Sequence, residues 1–211
     1  EGFEIKGKVY GIYCENNAKP TIIENYIECN STSRNACGIH NISYACPIIR
    51  HNLIFGHGYF SSCGIVNSEY SNPVIDKNII YGSLSFTSIG ISYGIYNFRS
   101  SPTISNNAIM SGNGSTSYGI FIMGSSSPKI TNNTINSFSI FSSANSKFSY
   151  GISNFSNCSP IIINNTINCG YGSEKAYGIY NAAYSSPTIK NCIIYSLNTA
   201  SSSRYGINRK H

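Results

Sequence analysis

Apolar residues in this chain fall into columns. Aligned on the dipeptide Gly-Ile, the sequence divides into units that begin at Gly11, Gly38, Gly64, Gly94, Gly119, Gly151, Gly178 and Gly206, spaced 25 to 32 residues apart. All seven prolines then share one position: Pro20, Pro47, Pro73, Pro102, Pro128, Pro160 and Pro187 stand nine residues after the glycine, or eight in the unit that starts at Gly94. Two residues after each proline is an isoleucine (Ile22, Ile49, Ile75, Ile104, Ile130, Ile162, Ile189), and five further on is another (Ile27, Ile54, Ile80, Ile109, Ile135, Ile167, Ile194). A straight strand sends residues i and i+2 to one face, so two inward isoleucines five apart require a bend between them. The residue five after the proline is Asn25, Asn52, Asn78, Asn107, Asn133 or Asn165, with Cys192 in the seventh unit. Asparagine tolerates the left-handed backbone better than other non-glycine residues, so this column is predicted to hold the bend. Each unit therefore reads as short strands joined by tight corners, which is one turn of a coil.

Stacking such coils in register pairs every strand with its equivalents above and below, about 4.8 Å away, so that Ile meets Ile and Asn meets Asn. One coil cannot stand alone. Three buried isoleucines at about 1.5–3 kcal/mol each do not offset the ordering of nearly thirty residues at about 1–2 kcal/mol each. Repetition supplies the missing core. The pattern (Y/C)-G-I-x-N-x5-P-x-I-x2-N-x-I, running from about residue 9 to residue 207, resembles the right-handed parallel β-helix repeat family, which includes pectate lyases, polygalacturonases, phage tailspikes and surface proteins. The resemblance implies an all-β chain forming a single domain over residues 1–211, with about seven coils and partial terminal coils. It implies little about function, because this fold hosts lyases, hydrolases, binders and structural rods.

Composition narrows the classes. Only 10% of residues are charged, so solubility rests on Ser, Asn, Gly and Tyr. The net charge of +6 is spread along the chain without the dense basic run of a nucleic-acid or anionic-membrane tract. No apolar stretch reaches the length of a membrane-spanning helix. The eight cysteines show no zinc spacing, so disulfides are expected in place of a metal, with Cys37–Cys63 and Cys29–Cys37 as the pairings open. Seven N-x-S/T sequons, at Asn30, Asn41, Asn113, Asn132, Asn154, Asn157 and Asn164, lean toward an extracellular or surface glycoprotein.

Candidate chemistry is sparse. Glycoside hydrolysis needs clustered carboxylates; this chain has a single aspartate, Asp76, and scattered glutamates. Polysaccharide lyase chemistry needs a base and, in this fold, Ca²⁺ held by carboxylates. The one candidate patch lies on the first three coils, where Glu24, His51 and Lys77 share one column and Arg50 and Asp76 the preceding one. Arg50 or His51 would be the base, but opposite charges on neighbouring strands equally describe an exposed stabilising ladder. His40 and His57 read as solvated surface or loop residues. The tyrosines before the glycines (Tyr10, Tyr93, Tyr118, Tyr150, Tyr177, Tyr205), with Cys37 and Cys63 in the same column, read as a packing stack, or else as the lining of a groove. The variable stretches place Phe86, Phe138, Phe141 and Phe148 on one edge, to cover a corner or to stack on sugar rings.

No amphipathic helix precedes Gly11, and the chain stops one strand into an eighth coil. The leader Glu1–Val9 and the tail Tyr205–His211 are therefore expected to pair with a second copy, giving an end-to-end filament, unless the sequence is a segment of a longer β-helix. The expectation is a non-enzymatic extracellular structural protein that partners itself and holds no cofactor. The alternative is an extracellular polysaccharide-binding protein or polysaccharide lyase.

Overall fold

The computed structural model describes residues 2–32, 35–83, 90–112, 114–137, 147–170, 174–195 and 203–209. Among these residues every regular element is a β-strand. The coil around Gly94 shows the plan. Strand Ile91–Phe98 carries the Gly-Ile motif, Thr103–Ser105 follows the proline, and Ala108–Gly112 follows the corner. Equivalent strands pair in parallel from coil to coil, building three sheets of eight, eight and seven strands. We call them the glycine sheet, the proline sheet (the seven-stranded one) and the closing sheet. The proline sheet advances through about six turns between Thr21–Ile23 and Thr188–Lys190. The fold is the expected parallel β-solenoid.

Register places like on like. Ile95 pairs with Ile65 and Ile120, Ile104 with Ile75 and Ile130, and Ile109 with Ile80 and Ile135. All of these side chains are fully buried and form one continuous core. The glycine in each Gly-Ile pair is required by close approach. A Cβ on Gly119 would lie 2.4 Å from Ile135 Cγ2 and 2.5 Å from the carbonyl oxygen of Gly151. Similar contacts recur at Gly38, Gly64, Gly94, Gly151 and Gly178, so no larger residue fits between the glycine and closing sheets.

The bend falls one residue earlier than the sequence predicts. Positive φ is adopted by Glu24, His51, Lys77, Asn106, Asn132 and Asn164, each immediately before the expected asparagine, and by Asn191 before Cys192. The asparagine itself turns inward and is buried from Asn52 to Asn165. Its amide replaces the hydrogen bonds that the corner backbone cannot make within a sheet. Asn107 Nδ2 donates to Ile75 O (2.9 Å), Ser105 O (2.8 Å) and Asn133 Oδ1 (3.0 Å), and Asn107 N also donates to Asn133 Oδ1 (2.9 Å). The same contacts repeat at Asn52, Asn78 and Asn133. A buried polar column is tolerable only when every group in it is satisfied, and here rung-to-rung stacking satisfies each one.

A second buried column, three residues after the glycine, links Asn41 to Asn67 (2.9 Å), Asn67 to Asn97 (2.8 Å) and Asn154 to Asn181 (2.7 Å). Ile122 interrupts it between Asn97 and Asn154 and leaves Asn97 Nδ2 and Asn154 Oδ1 without partners. Each orphan costs about 1–3 kcal/mol, opposed by the burial of the Ile122 side chain at about 1.5–3 kcal/mol.

The glycine column is directly testable. Gly119→Ala is expected to destabilise the chain by about 1–3 kcal/mol through overpacking, read as a lower urea midpoint. Gly206→Ala, where an added Cβ meets nothing within 4 Å, is expected to leave the midpoint nearly unchanged.

Candidate functional site

The proline-sheet corner carries the charged patch that the sequence singles out. Glu24, His51 and Lys77 stand at the positive-φ corners, exposed to solvent. Among the described residues they make no ion pair with one another. The preceding column does meet: Arg50 and Asp76 are register partners, and Arg50 Nε lies 3.2 Å from Asp76 Oδ2. The other carboxylate oxygen, Oδ1, accepts from Ser105 Oγ (2.9 Å) and Asn106 Nδ2 (2.7 Å). Burial alone would raise the Asp76 pKa, but the bonds from Asn106 and Ser105, with the Arg50 and Lys77 charges, together lower it. A carboxylate with both oxygens engaged and a depressed pKa is a poor proton acceptor. The patch is a cross-coil ladder in which Asp76 is held by Ser105, Asn106 and the nearby Arg50 charge, although Arg50 Nε itself makes no hydrogen bond. No group of three or more His, Cys, Asp or Glu suited to a metal occurs among the described residues.

His40 and His57 both differ from expectation. His40 and His57 lie within strands Ala36–Asn41 and Leu53–Gly58, half-buried on outer sheet faces. His40 packs against Tyr10 and Tyr13 at 5.2 and 5.4 Å between ring centroids. His57 stacks on Phe55 and faces Glu28 at 4.0 Å. Burial lowers the pKa of both, partly opposed by Glu69 for His40 and by Glu28 for His57. Alternation in a strand puts these side chains beside aromatic neighbours and out of bulk water.

The tyrosine column is a continuous stack on the outer face of the glycine sheet. Tyr93, Tyr118, Tyr150, Tyr177 and Tyr205 follow one another at 5.2, 4.8, 5.1 and 5.0 Å, with interplanar angles of 8° to 12°. Cys37 and Cys63 break the column below Tyr93 and line a cavity of about 300 Å³ with Tyr10, His40 and Val66. Of the loop aromatics, Phe148 begins strand Phe148–Phe155 and is half-buried, while Phe86, Phe138 and Phe141 lie outside the described residues.

Sequence reasoning missed a second aromatic feature at the turns that lead into the proline sheet. Tyr44 and Tyr70 stand six residues after their glycines, at φ of 65° in both cases. They are more than half exposed and stack on each other at 5.4 Å and 17°. Bulky residues in left-handed backbone are uncommon and mark sites where the surroundings impose the geometry. Beside Tyr70 opens a cleft of about 390 Å³, lined also by Asn72, Arg99, Ser101 and Ser125. Arg99 is itself at positive φ and lies over the Phe98 ring at 5.0 Å. The recurrence of Tyr at this position in Tyr44, Tyr70 and Tyr184 was the available signal.

Two further expectations need correction. No disulfide joins any of the eight cysteines. Cys37 and Cys63 are register partners, yet each thiol donates to a carbonyl of its own strand, Cys37 to Ile39 O (2.9 Å) and Cys63 to Ile65 O (3.4 Å). Cys29 does not bridge to Cys37 either; burial pushes its thiol up to about 11. The sequons divide. Asn41 and Asn154 are fully buried in the second asparagine column and closed to modification, Asn30, Asn132, Asn157 and Asn164 are exposed, and Asn113 lies outside the described residues.

The Asp76 geometry sets a pH dependence. Because its folded pKa is below the ordinary value of 3.8, its ionised form stabilises the fold above that pH. The stabilisation is lost as pH falls through the folded pKa. Urea midpoints taken from pH 7 to the acid limit are expected to fall less steeply below about pH 4 in Asp76→Asn than in the native chain.

A family model described as "Right handed beta helix region" matches residues 1–167 and, in a second overlapping register, 84–208. No curated protein and no solved structure matches the chain. With coils, parallel register and matched residues in agreement, the chain belongs to the right-handed β-helix family.

Proposed function

We propose that this protein is a non-enzymatic, extracellular β-helical structural protein that holds acidic polysaccharide along the turns entering its proline sheet. The observation that carries the reading is the cleft beside Tyr70. It joins an exposed aromatic platform, Tyr44 on Tyr70, to the Arg99 guanidinium and the Asn72 amide. Flat aromatic faces stack on the apolar faces of sugar rings, and a guanidinium pairs with a carboxylate in bidentate fashion. Tyr44, Tyr70 and Arg99 occupy the same turn on three successive coils about 4.8 Å apart, which suits contact with consecutive units of an extended polymer. Exposed corner sequons at Asn132 and Asn164 agree with an extracellular setting. Against catalysis stands Asp76, whose carboxylate is engaged by Ser105, Asn106 and Arg50.

Self-assembly is a second reading. In the 211-residue chain taken by itself, Ile193 and Ile207 on the last coils are more than half exposed, beside unpaired strand edges. Such an edge accepts a further strand.

Two outcomes are expected. Polygalacturonate should bind the native chain more tightly than uncharged dextran, and Tyr70→Ala with Arg99→Ala should weaken that binding at least about tenfold, read by titration calorimetry. Unchanged affinity in the double variant would remove the cleft from the proposal. Formation of unsaturated products that stops in Arg50→Ala/His51→Ala would replace it with a lyase. For assembly, sedimentation velocity should show concentration-dependent growth of the 211-residue chain; a monomer throughout refutes end-to-end stacking.

A further inference from the structure

The tyrosine stack has a gap of fixed size. Register runs Tyr10, Cys37, Cys63, Tyr93, so two rungs that carry rings in the later coils carry thiols here. Three steps of about 4.8 Å separate the flanking tyrosines, about 14 Å in all. The cavity left between them measures about 300 Å³. An apolar cavity of about 150 Å³ takes up one benzene, so this space accommodates two stacked single rings. Tyr10 and Tyr93 close its two ends, with Val66, Cys37 and Cys63 among its lining.

His40 stands at the side of the same space. Its Nε2 lies 3.3 Å from Ser68 Oγ, and its Nδ1 is shielded from solvent, so a ligand in a cavity open to water meets the His40 ring and not Nδ1. Selection in the gap therefore rests on shape and stacking between aromatic faces.

We propose that this gap is a binding site for small neutral single-ring aromatics, whose rings take the places of the two missing tyrosine side chains. The stacking geometry is the one the chain already uses from Tyr93 to Tyr205, with planes within about 12° of parallel. This site is on the glycine sheet, and it does not depend on the polysaccharide cleft beside Tyr70.

The probe is p-cresol, which is the tyrosine side chain itself, titrated into the 211-residue chain and followed by ligand proton NMR. Saturable upfield shifts of the ring protons are expected, from sandwiching between aromatic faces. Toluene, which has the ring without the hydroxyl, should bind within about fivefold of p-cresol. The compound 4-methylcyclohexanol, with the hydroxyl but no flat ring, should bind at least about tenfold more weakly. Cys63→Tyr, which supplies a ring to one empty rung, should abolish binding while the chain still melts cooperatively. If that variant does not fold, the preference of the native chain for flat over saturated rings decides. The proposal is overturned by the absence of saturable p-cresol shifts, by equal binding of 4-methylcyclohexanol, or by undiminished binding in a folded Cys63→Tyr.

Discussion

Parallel strands in register bring equivalent residues of successive coils within about 4.8 Å of one another, and every other feature of this molecule follows from that spacing. A residue is tolerated where it can stack on its own kind. Isoleucine does so by filling the core without polar atoms, and the three Ile columns are buried almost throughout. Asparagine does so by donating from one amide to the oxygen of the next, as from Asn78 to Asn107 at 3.1 Å. Tyrosine does so by offset face-to-face packing. Glycine is a separate case: it is required where the glycine and closing sheets approach too closely for any Cβ.

Chemistry then resides in departures from repetition. A regular column satisfies itself and leaves nothing for a ligand. Ile122 in the asparagine column leaves two amide atoms orphaned, but they are sealed in the interior. Cys37 and Cys63 in the tyrosine column leave a cavity that opens at the surface between Tyr10 and Tyr93. Tyr44 and Tyr70, placed on left-handed turns that other coils give to Asn17, Ser125 or Asn157, raise an aromatic platform beside Arg99. The charged patch has the opposite character. Arg50, Asp76, Ser105 and Asn106 engage one another, which stabilises the corner and leaves Asp76 a poor proton acceptor.

The errors of the sequence reading share a cause. Expecting Asn107 to take the left-handed bend treated asparagine as a local conformer, when its amide is worth more as the connector between coils. Asn106 takes the bend, and the doubled asparagine in "NN" at 106–107, 132–133 and 164–165 marks both roles at once. Reading His40 and His57 as solvated overlooked that polar residues on an outer sheet face can be covered by the aromatic rings of neighbouring coils. Pairing Cys37 with Cys63 followed from column position alone, whereas the thiols turn to carbonyls of their own strands. Buried sequons at Asn41 and Asn154 were indistinguishable in sequence from exposed ones.

By itself the sequence determined the solenoid: the period, the parallel register, the three Ile columns and the glycine-proline phasing, because each is a one-dimensional regularity that stacking turns directly into contacts. The missing rings at Cys37 and Cys63 were legible as letters in a column, and so was Tyr at 44 and 70. Only the tertiary structure decided which column faces inward, how large a gap two thiols leave, and which ring nitrogen of His40 lacks a donor. Those properties depend on the rotation of each corner and on the distance between sheets. Both are set by side chains from three different strands meeting in space, and no periodicity along the chain encodes them.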